Sequence, residues 1–109
     1  IRRCANGTDT GCVCAGSLKD VYYVACKYLG EQAARDFVRA FLDALNVIAL
    51  DEATCRIAAS SDEPDFEDAI IRATAENMRA NLILTRDERA YERSAVRAIT
   101  PQRFVDLFC

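Results

Sequence analysis

Asp65 and Asp68 stand three residues apart where an apolar helical pattern begins, and Asp87 follows the run Leu82-Ile83-Leu84-Thr85 by one residue. A spacing of three on a helix puts two carboxylates on neighbouring positions, about 5–6 Å between Cβ atoms. Asp20 lies one turn into another helical pattern, just after the apolar stretch Gly11-Cys12-Val13-Cys14-Ala15. If both apolar stretches are strands of one parallel sheet, these acids collect outside the strands' carboxyl ends, where such sheets open their ligand crevice. Carboxylates held together repel one another unless a proton or a cation sits among them. Mg²⁺ or Mn²⁺ is the cation that oxygen donors of this kind suit.

Each acid also has a plainer explanation. Acids favour helix N-termini, where the macrodipole is positive, although five of them between Asp62 and Asp68 exceed what capping needs. Asp87 equally suits capping of an Arg86–Tyr91 turn, and Thr85 can bond local backbone at a strand end. Asp20 occupies the acid position of a capping-box-like Ser17-Leu18-Lys19-Asp20. What separates the set from its members is convergence from three distant segments. Arg86, Arg89, Arg93 and Arg97 make the last third locally basic. They form a solvated face or, with a phosphodiester substrate, contacts to phosphates beside a metal.

Composition narrows the chemistry. The chain has 109 residues, 51% apolar and 28% charged, with a net charge of −3 and no histidine. That length fits one domain, burying roughly two-thirds of its surface. Without histidine there is no imidazole base, and the net acidity argues against nonspecific duplex binding, which needs a basic face. The six cysteines include no CxxC pair, so a zinc knuckle is unsupported. Cys26 and Cys55 fall in helical patterns and Cys12 and Cys14 share one strand face, which favours buried free thiols in a reducing cytoplasm over a disulfide framework. No apolar run is long enough for a membrane span.

The positioning elements follow from pattern. Ile1–Ala5 reads as the last turn of a helix already under way, ending at Asn6-Gly7. A strand at 11–15 leads into a helix from Ser17 to a glycine C-cap at Gly30. A second helix carries Ala33, Ala34, Phe37, Val38, Phe41, Leu42 and Leu45 on one stripe. Strand 46–50, a short helix capped by Asp51, and a loop at Ser60–Pro64 come next. The acidic helix runs to about Ala80, with Ala69, Ile70, Ala73, Ala75 and Met78 for its buried side. Strand 82–85, a polar turn at 86–94, a strand at 96–99 and a helix from Pro101 to Phe108 close the chain. Alternating strands and helices predict an α/β fold, a three-layer α/β/α sandwich around a mostly parallel central sheet.

With those elements in place, the chain resembles the PIN-domain family of metal-dependent ribonucleases, which includes VapC-type toxins of toxin–antitoxin pairs. The likeness rests on Asp65-Phe66-Glu67-Asp68-Ala69-Ile70, Leu82-Ile83-Leu84-Thr85-Arg86-Asp87 and Ile99-Thr100-Pro101-Gln102-Arg103-Phe104. Ser17-Leu18-Lys19-Asp20-Val21-Tyr22-Tyr23 is similar to the family's second acidic segment, with Asp for the commoner Glu. The resemblance implies Mg²⁺ or Mn²⁺ held by Asp20, Asp68 and Asp87, with Asp65 an accessory acid and Thr85 a site hydroxyl. It implies RNA as substrate, contacted by Arg86 and Arg89, and an antitoxin protein as partner. The family's first strand, carrying Asp-x-Asn between the strands at 11–15 and 82–85, has no counterpart in the sequence. The expectation is therefore a single PIN-like domain over 1–109, incomplete at its N-terminus and weak or inactive alone.

Two other readings stay open. One is a non-catalytic α/β module that binds RNA or protein through a degenerate acidic cluster. The other is a phosphoaspartate-type regulatory domain, disfavoured because no lysine follows a later strand. The Phe37/Phe41 and Tyr22/Tyr23 faces suit a homodimer or ordinary core packing equally.

Overall fold

Two side chains close over the glycine at position 11. In the computed structural model, which describes residues 1–109, a Cβ at Gly11 would lie inside contact distance of the Leu45 and Cys4 side chains. There the chain leaves α1 (Arg2–Ala5) and enters β1 (Cys12–Cys14). α2 (Ala15–Leu29) ends at Gly30, whose φ of 85° and N–H bond to the Cys26 carbonyl close the helix. α3 (Glu31–Ala44) then leads into β2 (Asn46–Ile48), which pairs parallel with β1, Val13 opposite Val47. α2 and α3 pack on each other. The buried side chains of this stretch are Ala25 and Ala34, one on each helix.

The chain divides into two compact units, Ile1–Leu50 and Asp51–Cys109. In the second, α4 (Glu52–Ala59) starts at Asp51, whose carboxylate accepts from the Thr54 N–H at 2.8 Å. α5 (Phe66–Asn77) packs on α4 and is followed by β3 (Leu82–Leu84), a 3-10 turn at Glu88–Tyr91, and β4 (Arg97–Ile99). β3 and β4 are parallel, Ile83 opposite Ala98, and the Thr85 N–H extends the ladder to the Ile99 carbonyl. α6 (Pro101–Phe108) begins with proline behind a Thr100 cap. Ala75, Ile83, Tyr91 and Val96 form a buried cluster, flanked by Ile71, Ala80, Ala90 and Ala98. Burying a side chain such as Ile83 is worth about 1.5–3 kcal/mol, so this cluster anchors the unit.

The α/β class and the parallel pairing agree with the sequence expectation. The pairing is shorter than expected: the hydrogen-bonded ladders are two separate two-stranded sheets, and every strand has a single partner over three residues. α2 begins at Ala15 behind an extended Cys14, so the expected Ser17 capping box does not form. α5 stops at Asn77, short of Ala80, because Arg79 turns to a φ of 55°. Its N–H bonds the Glu76 carbonyl and the Ala80 N–H bonds that of Ala75, the paired bonds of a Schellman ending. On α5 the alanines 69, 73 and 75 are buried as expected, whereas Met78 is exposed. The cysteines are all free, but none is buried; Cys12 and Cys109 are exposed and the rest half-buried.

Candidate metal centre

Asp65 sits at the N-cap of α5 in extended conformation, and its Oδ1 accepts the Asp68 N–H at 3.0 Å. That is the plain capping role, realised. It also fixes the first turn of α5, on which Asp68 is half-buried with its neighbour Ala69 in the core. Burial pushes the Asp68 carboxyl above the usual aspartate range. The negative charges of Asp65, then Glu63 and Asp87, push it the same way, against a hydroxyl bond from Tyr91 that pulls it down. The charges of three other carboxylates of this unit are therefore felt at Asp68.

Asp87 enters from the far end of β3. Its backbone N–H donates to Thr85 Oγ1 at 3.0 Å, so the strand-end hydroxyl bonds local backbone and shapes the turn that carries Asp87. Asp87 occupies the N-cap position of the 3-10 turn without a side-chain capping bond, which leaves its exposed carboxylate for another role. Arg86 and Arg89 on this turn are exposed. Asp20 belongs to the first unit, on α2, where Lys19 Nζ approaches Asp20 Oδ1 at 3.1 Å. With no capping box at Ser17, its plainest explanation falls away. An open cleft of about 360 Å³ beside Tyr22 and Arg35 is not lined by Asp20.

Two residues of the second unit were not singled out by sequence. Tyr91, at the end of the 3-10 turn, is 5% exposed and points its hydroxyl at Asp68 Oδ1, 3.4 Å away. Burial and the nearby carboxylates push its own pKa well up. Its signal was an aromatic residue one helical turn after Asp87 inside a polar stretch. The other is Glu63, with a side chain only 2% exposed between Arg72, 3.5 Å away, and Arg93, 3.6 Å away. Its Oε2 makes no hydrogen bond. Glu63 had been one of five acids in a run, and nothing local marks it as the buried one.

The donor chemistry fits a hard divalent cation: the set is all carboxylate oxygen, and Asp68, raised first by burial, also feels the negative charge of Asp65, Glu63 and Asp87. Neither unit brings three such side chains into a group already shaped to hold a metal ion. The arrangement is a charge site rather than a finished coordination shell.

A family model described as PIN domain matches residues 1–89. The chain belongs to the PIN-domain family. The match covers β1 through Asp87 and so takes in every acid discussed above. No curated protein and no solved structure matches the chain. PIN domains are generally nucleases that use divalent metals and bind RNA, so the α/β scaffold here is a nuclease fold. No helix of this PIN domain is long and apolar enough to cross a membrane.

Proposed function

We propose that this PIN domain is a metal-dependent ribonuclease that hydrolyses RNA phosphodiester bonds with Mg²⁺ or Mn²⁺ held by Asp68 and Asp87. The observation that supports the reading is geometric: Asp68 sits half-buried on the capped first turn of α5, and Tyr91, on the turn that starts at Asp87, brings its hydroxyl to 3.4 Å from Asp68 Oδ1. Asp20 enters as a further ligand through the family resemblance alone. A bound divalent ion supplies Lewis-acid polarisation of the phosphoryl oxygen and activation of water. The chain's own residues do the rest. Asp65 holds the first turn of α5 so that Asp68 presents its oxygens at a fixed place. Thr85 fixes the Asp87 backbone, and Arg86 and Arg89 touch flanking phosphates. No protein nucleophile is needed, which suits a chain without histidine. Within the same reading the protein is a cytoplasmic toxin restrained by an antitoxin, with the exposed Tyr23 and Phe37 available for self-association.

The lack of a preformed group of three acids favours a second reading, a binding module for RNA or protein with a degenerate cluster. Asp68→Asn and Asp87→Asn separate the two. A nuclease loses about 10²-fold or more in Mn²⁺-dependent RNA cleavage when a residue acting on the transition state is removed, while a binding module keeps its RNA affinity in both variants. Cleavage at the wild-type rate in both variants would refute the nuclease site.

A further inference from the structure

Tyr91 closes a core otherwise made of aliphatic side chains. Ala75, Ile83 and Val96 surround it, with Ile71, Ala80, Ala90 and Ala98 packed outside. A phenylalanine would satisfy that cluster without carrying a polar atom inward. A buried tyrosine hydroxyl normally finds a partner, and the partner here is Asp68 Oδ1 at 3.4 Å, 23 residues away along the chain. The distance is long for an O–H···O bond, as such contacts often are before ligand binds. The ring cannot follow a wandering carboxylate, because the core holds it and its exposure is 5%. Rigidity is what a guide needs.

The turn that ends in Tyr91 starts at Asp87, and the Ala90 N–H bonds the Asp87 carbonyl at 3.2 Å. One short 3-10 segment therefore delivers both a free carboxylate and a hydroxyl aimed at the other carboxylate. We propose that Tyr91 is a positioning residue for the metal centre: its core-held hydroxyl donates to Asp68 Oδ1 and fixes the carboxylate that would hold the cation. The inference rests on the proposed role of Asp68 as a metal ligand. Outer hydrogen bonds of this type fix the orientation of ligating carboxylates, and losing one costs about 10–100-fold in metal affinity.

The test is calorimetric titration of Mn²⁺ into the whole chain, as wild type, Tyr91→Phe, Ile83→Val and Asp68→Asn. Tyr91→Phe keeps the ring and removes the hydroxyl, so its Kd for Mn²⁺ rises about 10-fold. Its RNA cleavage returns to near the wild-type rate at saturating Mn²⁺. Ile83→Val loosens the same cluster without touching the hydroxyl and leaves the Kd unchanged. Tyr91→Phe binding Mn²⁺ as tightly as wild type overturns the inference, and so does an equal loss in Ile83→Val, which would make the effect one of packing. If Asp68→Asn binds Mn²⁺ like wild type, or wild type binds none, the metal centre itself fails and the role of Tyr91 with it.

Discussion

The two units of this chain use their apolar side chains to different ends. Between Asp51 and Cys109 the buried side chains include Ile83, Tyr91, Val96 and Ile99. Between Ile1 and Leu50 they are two alanines, while Tyr23, Val24, Tyr28, Leu29, Phe37 and Leu42 are exposed. Helix ends differ in the same direction. α4, α5 and α6 each begin with a side chain that accepts a backbone N–H, from Asp51, Asp65 and Thr100. α1, α2 and α3 have no side-chain cap. The second unit thus fixes its helix starts and its core by its own residues, and it is there that carboxylates crowd around Asp68. A charged cluster needs such a frame, because like charges at close range push the elements that carry them apart.

The sharpest way to break this contrast is to cut each unit's large apolar side chains. Ile83→Ala should cost about 2–4 kcal/mol in urea unfolding, through lost transfer energy and the cavity left behind. Phe37→Ala, at a residue 44% exposed, should cost under about 1 kcal/mol. Equal losses would mean that the first unit hides a core of similar weight.

A smaller effect probes the caps. Asp51→Ala should lower the melting temperature, and its pH dependence has a definite sign. The Thr54 backbone N–H, then the Thr54 hydroxyl, hold the Asp51 carboxyl below the usual 3.8. A depressed carboxyl contributes stability above its unfolded value and loses it as pH falls through the folded one. The difference between wild type and variant should therefore be full at neutral pH and shrink below pH 3.8, when each is melted across that range. A difference that grows on acidification would contradict the capping bond.

Smallest is a gain. Cys14 is already extended at the N-cap of α2, with φ −67° and ψ 137°, and makes no capping bond. Cys14→Ser places an acceptor there and should stabilise by about 0.5–1 kcal/mol. An unchanged unfolding midpoint would show that the start of α2 is closed by something other than a cap.

What the sequence disclosed was what is written locally. α6 was expected from Pro101 to Phe108 and has those ends, because proline at the first position and Thr100 before it are signals within four residues. Gly30 and Asp51 were legible for the same reason. The stop of α5 was not, since a positive φ was taken by Arg79 where a glycine would have announced it. Ser17 offered a capping box that the chain passes over, because the helix already starts at Ala15, behind an extended Cys14. The site divides similarly. Asp65 and Asp68 could be placed on one helix start from spacing alone, and Thr85 beside Asp87 from a strand end. Tyr91 against Asp68, and Glu63 between Arg72 and Arg93, are contacts across the fold. Periodicity says nothing about which member of a polar stretch turns inward.

The central claim, that a divalent cation lodges among the acids of the second unit, is tested most directly by paramagnetic broadening. Mn²⁺ is titrated into isotope-labelled protein and the backbone amide signals are followed. Signals from residues 65–69 and 85–91 should disappear first, at substoichiometric ion. Broadening that begins elsewhere, or is spread evenly over the exposed carboxylates, would contradict it.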